Sequence, residues 1–574
     1  MDGPGDRCAV CGGGVSVVCS QCETVAYCGP EHQKSHWLEH KTLCTPYRIQ
    51  RSDILGRYLV ASRDIKAGEV ILKEKPLVLG PRVDSAPICL GCYQPLPLYQ
   101  QPRCMRCMVA PVCGVECERR GDHKDIECNA LREAAEKYPL VLADHSQMVL
   151  PLRCLLQVRD SIPDPKWNSF LELEAHEDKR RDTLIWRDHQ LNVIEVLRTH
   201  ELLSSTHEDT ELVQKICGIL DVNCFEIRGP PSKSGEMERL RGVYLRAALM
   251  AHDCIGNTHL SVDDAFQMTI HASVPIPRGQ PIYFNYTSVM QGTWDRQAHL
   301  REGKYFDCSC RRCSDPTEVG THMSSIRCVR CNEGIVAPTN PLVTRPQHQK
   351  QTKTVSGYSD WECNSCKHRY RPNLITTAVS LARNLLDDVD RNDSREMEAL
   401  LRRLLRTFSP QHFVILELKQ TLVALYRDII LREPNPTRKV LSRKSELCRD
   451  ILPVLEVVEP GISRLRGIAL YELQDPIVML ANRQFEVGDS NAKELLSKLR
   501  EAEGYLREAV SQLLYEPMHS PEGQLARVAM QDLKNLRYNI QHAEKLASES
   551  EHRKSSTGSI GSNKKRGGGR KKKT

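Results

Sequence analysis

Apolar residues recur every three or four positions from residue 373 onward, a spacing typical of amphipathic helices. We expect these stripes to form the core faces of packed helix pairs. The three clearest stripes are Leu374, Ala378, Leu381 and Leu385; Leu418, Leu422, Leu425 and Ile429; and Leu495, Leu499, Ala502, Leu506, Ala509 and Leu513. The C-terminal part of this 574-residue chain is therefore predicted to be all helical.

A different pattern, short β-prone apolar runs punctuated by glycine and proline, occupies two separate stretches, residues 52–80 and 224–287. Between them, Leu191, Ile194 and Leu197 fall at helical spacing. We therefore expect short strands in both stretches and a helix between them.

Cysteine spacing adds metal chemistry to this picture. Seven CxxC pairs occur, where random placement of 25 cysteines over 574 positions would give only about one. A CxxC turn lets two thiolates converge on one tetrahedral metal ion. The pairs are Cys8/Cys11, Cys19/Cys22, Cys89/Cys92, Cys104/Cys107, Cys310/Cys313, Cys328/Cys331 and Cys363/Cys366. Apart from Cys254, which is considered below with the third group, only Cys154, Cys217, Cys224 and Cys448 stand outside four groups with metal-like spacing.

A disulfide scaffold is the competing interpretation of so many cysteines. Disulfide-dense proteins are usually short and secreted, whereas this chain is long. Its start, MDGPGDRC, has no apolar signal region, and no run of about 18 apolar residues predicts a membrane span. We therefore expect a soluble intracellular protein whose thiols hold zinc.

Two of the four groups contain eight potential ligands each, enough for two zinc sites per group. Modules of this size depend on metal binding for their folding energy. The first group is Cys8, Cys11, Cys19, Cys22, Cys28, His32, His40 and Cys44. The second is Cys89, Cys92, Cys104, Cys107, Cys113, Cys117, His123 and Cys128. Spacing leaves open which ligands of the second group share an ion.

Two smaller groups follow. A triplet is one ligand short of a closed structural zinc site; it consists of Cys308, Cys310 and Cys313. The last group has 31 residues between its two pairs and predicts a ribbon-like zinc site with a long loop, free thiols being the alternative. Its members are Cys328, Cys331, Cys363 and Cys366.

The net charge of +7 is concentrated at the C-terminus. Residues 553–574 carry nine Lys or Arg and no acid, so the rest of the chain is close to −2. Such a Gly/Ser-rich basic segment is expected to be disordered. It is either a nuclear signal, a non-specific nucleic-acid contact, or solubilising charge.

Several motifs resemble one known family. YCGPEHQKSHWLEHKTLC resembles a MYND zinc finger, GRYLVASRDIKAGEVIL the opening of a SET domain, and AHDCIGN the SET signature NHSCxPN. KYFDCSCRRC resembles a post-SET zinc site. A SET domain split by a MYND finger is the arrangement of the SET and MYND domain (SMYD) family, and the extra finger ahead of the SET start resembles its arthropod-specific, msta-like branch. The resemblance covers residues 1 to about 545.

This resemblance implies ligand sets and a fold. One zinc of the first finger would take Cys8, Cys11, Cys28 and His32, and the other Cys19, Cys22, His40 and Cys44. Cys254 would complete the post-SET triplet. The implied fold class is an α+β multidomain protein, with a split β-rich SET domain, zinc-stapled MYND fingers, a post-SET zinc site and an all-α TPR-like C-terminal domain.

The expected domains, in chain order, are a MYND finger (1–44), the N-terminal SET part (45–80), a second MYND-like finger (81–130), a helical SET insertion (131–215), the C-terminal SET part (216–290), the post-SET segment (291–315), the four-cysteine ribbon (316–372), the helical domain (373–545) and the basic tail (546–574).

The family resemblance also implies an activity, methyl transfer from S-adenosyl-L-methionine to a protein lysine, with a role in transcriptional regulation in the nucleus or cytoplasm. Tyr286 matches the catalytic tyrosine. Cofactor contacts carry over to Gly56, Arg57, Asn223, His252 and Phe306. The implied partners are a protein substrate with a target lysine and proline-containing peptides at the MYND fingers, with no membrane contact.

Three departures from the family pattern keep a second interpretation open. Tyr58 stands where the family has a glycine, Ala251 where it has an asparagine, and Lys304 where it has a second active-site tyrosine. The alternative is therefore a SET-fold scaffold with little activity that recruits partners through its fingers and helical domain.

Overall fold

The structure is a computed structural model that describes residues 7–20, 22, 25–41, 44–97, 101–119, 123, 125–160, 164–232, 235, 237–342 and 360–558. The chain divides into two compact units. One comprises Met1–Thr287 and Trp294–Cys308, and the other comprises Ser288–Thr293 and Ser309–Thr574. Among the helices in these described ranges, none is both long and apolar enough to cross a membrane.

The first unit is built from short strands and helices. Its strands are β1 (Val17–Val18), β2 (Ala26–Tyr27), β3 (Tyr47–Ser52), β4 (Gly56–Ala61), β5 (Val70–Glu74), β6 (Val78–Pro81), β7 (Phe225–Arg228), β8 (Arg239–Val243), β9 (Ala251–His252), β10 (Thr258–Val262), β11 (Met268–Ala272) and β12 (Tyr283–Phe284). Its helices are α1 (Pro30–His40), α2 (Val115–Arg119), α3 (Ile126–Lys137), α4 (Val149–Val158), α5 (Pro165–Leu171), α6 (Glu177–Arg180), α7 (Leu184–His189), α8 (Glu195–Thr199), α9 (His207–Asn223) and α10 (Thr293–Lys304). Two 3₁₀ segments, Leu142–Met148 and Ala247–Leu249, and a π-helix, Gln190–Ile194, complete it.

Strands from the two ends of the β-rich sequence pair with each other. β5 pairs antiparallel with β11 in a sheet of order β10-β11-β5, and β6 pairs antiparallel with β8 in a sheet of order β6-β8-β7. The register joins Val78 to Val243 and Leu72 to Ile270. The split domain predicted from the sequence is therefore a single fold, closed by pairings that bridge the insertion.

The insertion is helical, as predicted, but its last helix is longer than expected. Thr206 caps α9, its side chain accepting from the Asp209 N–H, and the helix runs to Asn223 rather than ending at residue 215. Ile194 and Leu197 are buried, whereas Leu191 is 65% exposed. Leu191 lies in the π-helix, whose wider turn moves it off the buried face.

Three hydrophobic cores lie in this unit. The first finger has a small core of its own, made of Cys8, Cys19, Cys22 and Tyr27. The SET sheets enclose a second core that includes Leu59, Ile71, Leu240 and Ile270. The third core joins the second finger to the insertion helices, with Cys104, Cys107, Leu152 and Phe170 among its members.

The second unit begins with a small sheet and continues as helices. Its strands, β13 (Ile326–Arg327), β14 (Ile335–Pro338), β15 (Trp361–Cys363) and β16 (Arg369–Tyr370), form one antiparallel sheet in chain order. Its helices are α11 (Arg311–Ser314), α12 (Pro372–Asp388), α13 (Ser394–Leu404), α14 (Phe413–Arg432), α15 (Arg438–Val458), α16 (Arg464–Glu486), α17 (Ala492–Leu513) and α18 (Pro521–Gly558). Asn491 and Glu494 form a capping box that fixes the start of α17.

The predicted core stripes of these helices are confirmed in part. All six positions of the α17 stripe, from Leu495 to Leu513, are buried. In α12 the prediction is wrong, because Leu374 and Leu381 are 54% and 58% exposed while Ile375 and Ala382 are buried. This helix carries apolar residues at two adjacent helical stripes, and periodicity alone does not tell which one faces the core.

The predicted fold class is confirmed, since a split β-rich domain with metal-type clusters is followed by an all-helical C-terminal region. The final helix continues to Gly558, beyond the predicted boundary at residue 545. Residues 559–574, which hold most of the predicted basic tail, lie outside the described residues.

Candidate active site and metal centres

The first finger brings its eight predicted ligands into two interleaved clusters. Within each cluster the ligand atoms all lie within 4.8 Å of one another. The clusters are Cys8, Cys11, Cys28 and His32; and Cys19, Cys22, His40 and Cys44. Helix α1, which starts with Pro30 at its first turn, presents one histidine to each cluster. This is the pairing that the family resemblance implies.

The second finger repeats this arrangement. Its clusters are Cys89, Cys92, Cys113 and Cys117; and Cys104, Cys107, His123 and Cys128. The ligand pairing, which spacing had left open, is thus interleaved in the same order as in the first finger. All four residues of the second cluster are buried, so a metal ion bound there would be shielded from solvent.

A buried relay orients His123. Its Nε2 lies 3.6 Å from the Cys107 sulfur, and its Nδ1 lies 3.0 Å from Glu127 Oε1. A carboxylate on one ring nitrogen fixes the tautomer that offers the other nitrogen to a metal. The sequence analysis missed Glu127, although its position four residues after His123 is a helical spacing that could have identified it.

Arg153 continues the relay into the SET fold. It forms a fully buried ion pair with Glu127. Its guanidinium also donates to three groups outside the metal cluster, the Leu79 carbonyl at 2.6 Å, the Tyr93 hydroxyl at 2.9 Å and the Leu90 carbonyl at 3.3 Å. Leu79 lies on β6, so the metal cluster of the second finger is connected directly to a SET strand.

The two smaller groups also assemble. The ligand atoms of Cys254 and Cys308 in the first unit lie within 4.8 Å of each other, and so do those of Cys310 and Cys313 in the second unit. In the ribbon, sulfur–sulfur distances are 3.6 Å for Cys328–Cys366 and 3.8 Å for Cys331–Cys363. A disulfide would need about 2.05 Å, and none of the 25 cysteines forms one. Tetrahedral sets of cysteine and histidine fit zinc.

Three residues predicted for the methyl-transfer site lie together. The ring of His252 is centred 5.0 Å from that of Tyr286 and 5.8 Å from that of Phe306. His252 Nδ1 accepts from the Tyr286 N–H at 3.0 Å, and the Tyr286 hydroxyl donates to the Met250 carbonyl. Burial raises the pKa of the Tyr286 hydroxyl above its usual value, so this group is a neutral hydrogen-bond donor at neutral pH.

The other predicted cofactor residues gather around one segment of the insertion. Arg57, beside Gly56 at the start of β4, pairs with Glu172 at 2.9 Å. Asn223, the last residue of α9, donates from Nδ2 to the Glu174 carbonyl at 2.8 Å. Gly56 has φ +64°, with open space where a Cβ would stand, a conformation that favours glycine.

The sequence analysis did not identify two further residues near this segment, His176 and Tyr305. The rings of His176 and Tyr305 are centred 5.4 Å apart, and both residues have positive φ, 49° and 61°. Burial lowers the pKa of His176. Within the predicted helical insertion, residues 172–176 form a non-helical connection between α5 and α6. Left-handed backbone at non-glycine residues leaves no signal in the sequence.

The three departures from the family pattern have distinct settings. Lys304 donates to the carbonyls of Val222 at 2.6 Å and Asp221 at 3.3 Å. Ala251 is buried on β9, opposite Tyr283 of the parallel strand β12. Tyr58, half-buried, lies on β4 opposite Gln50 of β3.

Comparison with known families matches the MYND finger family to residues 8–44 and the SET domain family to residues 56–287. The chain is a SET and MYND domain protein. The SET match spans the second finger and the helical insertion, in agreement with the strand pairings that close the domain around them.

Relatives of this SET and MYND domain protein are about a quarter identical to it over the aligned residues. The SET domain-containing protein SmydA-8, isoform A, of Drosophila melanogaster is 26% identical over 436 residues, which cover 75% of this chain and 88% of the fly protein. Histone-lysine N-methyltransferase ASHR2 of Arabidopsis thaliana is 25% identical over 45% of this chain and 69% of its own length. Human histone-lysine N-methyltransferase SMYD3 is 25% identical over 45% of this chain and 59% of its own length. Membership of the arthropod-specific branch stays a prediction.

Proposed function

We propose that this protein is an S-adenosyl-L-methionine-dependent protein-lysine N-methyltransferase acting on histones or other proteins. The observation that supports this most directly is the packing of the half-buried rings of Tyr286 and Phe306 against the buried His252 within the SET match. The names of the human SMYD3 and mouse SMYD2 relatives, a histone-lysine and an N-lysine methyltransferase, support the same reaction class.

The residues present fit the cofactor. Open space adjoins Gly56, where the left-handed backbone lacks a Cβ. Aromatic faces such as those of Phe306 and Tyr286 suit a flat base and a sulfonium cation. Gly56, Arg57, Asn223, His252 and Phe306 would hold the cofactor, which supplies an electrophilic methyl group when bound.

The protein's own contribution is to receive and desolvate the target amine. Lysine has an ordinary pKa of about 10.4, so its amine must lose a proton before it can attack. Buried aromatic surroundings disfavour the charged form of an amine. The Tyr286 hydroxyl, held on the Met250 carbonyl, is kept neutral by burial and orients groups that approach it.

The test compares Tyr286→Phe with Tyr244→Phe. Both tyrosine hydroxyls donate to a backbone carbonyl, Met250 for Tyr286 and Phe266 for Tyr244. Each variant should therefore lose a similar stability of about 1 kcal/mol. Radiolabelled methyl transfer to core histones should fall at least about a hundredfold in Tyr286→Phe only. Equal activity in the two variants would contradict the role of Tyr286.

A catalytically weak scaffold is the second candidate function. It is favoured by Lys304 and by Ala251, whose methyl group cannot make the hydrogen bond that an asparagine amide would make. Calorimetry with S-adenosyl-L-methionine discriminates the two functions, because absence of binding at millimolar cofactor would leave the scaffold. If the cofactor binds weakly, Ala251→Asn should tighten it several-fold, since one hydrogen bond is worth about 1 kcal/mol.

Partners beyond the substrate also belong to this proposal. The first finger would bind proline-containing peptides, and the basic residues at the C-terminus would provide a nuclear address or a non-specific nucleic-acid contact. Deleting residues 564–573 from a fluorescent fusion should shift it toward the cytoplasm if they act as a nuclear address.

A further inference from the structure

We propose that Lys304 is a specificity-determining residue that competes, within the same chain, with the amine of an incoming lysine substrate. The inference rests on the proposed lysine methyltransferase function and on Tyr286 as its centre. It gives a role to Lys304, which lies beside Tyr286 in the site where the substrate lysine would bind.

The geometry places a cation on Tyr286. The Lys304 ammonium lies 5.9 Å from the centroid of the Tyr286 ring. A cation within about 6 Å of an aromatic face is attracted by the ring's electrons. The face of Tyr286 that would attract a substrate amine is therefore already close to a charged amine supplied by the protein.

Lys304 is anchored there. Its donors reach the carbonyls of Val222 and Asp221, in the last turn of α9, where the negative end of a helix favours a cation. The next residue, Tyr305, is held on both sides: its carbonyl accepts from Lys179 at 2.7 Å and its ring contacts His176. These contacts fix the backbone from which Lys304 extends.

The surroundings do not cancel this charge. The Asp221 carboxylate already pairs with Arg180 at 3.3 Å and with Arg241 at 3.1 Å. Burial lowers the pKa of the Lys304 ammonium and Arg241 acts in the same direction, whereas Cys224 and Asp221 act to raise it. A substrate ammonium approaching Tyr286 would therefore meet a like charge.

The experiment removes the charge while keeping a hydrogen-bond donor. Lys304→Gln can still donate to the Val222 carbonyl, and Lys304→Arg keeps the charge. Lys137→Gln, which removes an exposed lysine that pairs with Glu201, is the matched control. Cofactor binding is measured by calorimetry, and methyl transfer is measured on core histones and a lysine-peptide array.

We expect transfer by Lys304→Gln to exceed that of the wild type by at least about tenfold, because like-charge contacts are strongly unfavourable. Lys137→Gln should match the wild type, Lys304→Arg should stay well below Lys304→Gln because it keeps the charge, and all four proteins should bind the cofactor equally. Lys304→Met, which keeps the apolar stem, is a second uncharged variant should Lys304→Gln fail to fold, as judged by thermal unfolding.

Unchanged or reduced transfer in a folded, cofactor-binding Lys304→Gln or Lys304→Met variant would overturn the inference and leave the proposed function standing. So would methylation of Lys304 itself in the wild type, detected by mass spectrometry, because Lys304 would then be a substrate and not a competitor. Absence of cofactor binding in all variants would instead overturn the proposed function, and this inference with it.

Discussion

The two fingers have the same ligand plan but a different relation to the fold. In the first, the buried core consists of four of its own residues, Cys8, Cys19, Cys22 and Tyr27. In the second, the metal cysteines belong to the same core as the insertion helices, and Arg153 joins their cluster to a SET strand. The same interleaved ligand plan therefore supports a self-contained module in one place and an integral part of a larger domain in the other.

This difference shows that ligand spacing identifies a metal site but does not tell how much of the surrounding fold that site stabilises. Metal binding to the first finger should stabilise that finger. Metal binding to the second should stabilise the domain that packs around it, because binding and folding energies are shared through one core.

The largest contrast should come from removing one ligand in each finger. Cys107 and Cys22 are both buried, and each sulfur lies about equally far from its cluster's histidine, 3.6 Å and 3.5 Å. Structural zinc contributes on the order of 10 kcal/mol in small modules. Cys107→Ser should therefore abolish amide-exchange protection in α4 as well as in the finger, whereas Cys22→Ser should affect residues 7–44 only. Retained protection of α4 in Cys107→Ser would remove the distinction.

Breaking the relay should have the next largest effect. Arg153→Met leaves Glu127 buried without its cation, which typically costs about 3–5 kcal/mol. The control is Arg159→Met, six residues further along the chain, which removes a partly exposed ion pair with Asp209. This change should cost about 1 kcal/mol or less. Urea unfolding of the two variants measures the difference. Equal losses of unfolding free energy would show that the Arg153–Glu127 ion pair stabilises the protein no more than a partly exposed pair does.

A glycine in each finger gives a smaller contrast. A Cβ on Gly91 would lie 2.3 Å from the Cys117 carbonyl oxygen, whereas a Cβ on Gly29 meets nothing within 4 Å. Gly91→Ala should cost about 1–3 kcal/mol and reduce zinc content, while Gly29→Ala, at the N-cap of α1, should stay within about 0.5 kcal/mol. Elemental analysis and thermal unfolding of both variants test this, and a tolerated Gly91→Ala would indicate a looser second finger.

The smallest effect concerns one hydroxyl in each finger. Tyr93 accepts from Arg153 at 2.9 Å, so Tyr93→Phe weakens the bonding of a buried charge and should cost about 1–3 kcal/mol. Tyr27 forms a 3.1 Å hydrogen bond with His36 Nδ1, and Tyr27→Phe should cost about 1 kcal/mol within the first finger. The reverse order of the two losses, measured by denaturant unfolding, would contradict the comparison.

Much of this organisation could be predicted from the sequence, because cysteine spacing and apolar period act locally. The zinc-type clusters and the α17 stripe follow from such patterns, whereas the split SET fold follows from the resemblance of short motifs to the SET and MYND domain family. The Arg153 relay could not be predicted, since its partners Glu127 and Leu79 are 26 and 74 residues away. The same holds for the contact of Lys304 with Tyr286 and for the tilted ring pair of His176 and Tyr305, which depend on how distant segments meet.

The C-terminal helices have a further consequence of their own. From α13 to α18, each helix packs chiefly on the one before it and the one after it in sequence. Such a stack behaves almost as a one-dimensional chain of nearest neighbours, in which one end can open without disturbing the other. Protection of backbone amides against hydrogen exchange should therefore decrease gradually from the middle of the stack toward α18. Shortening the chain from that end should lower the free energy of unfolding in steps, helix by helix, instead of all at once.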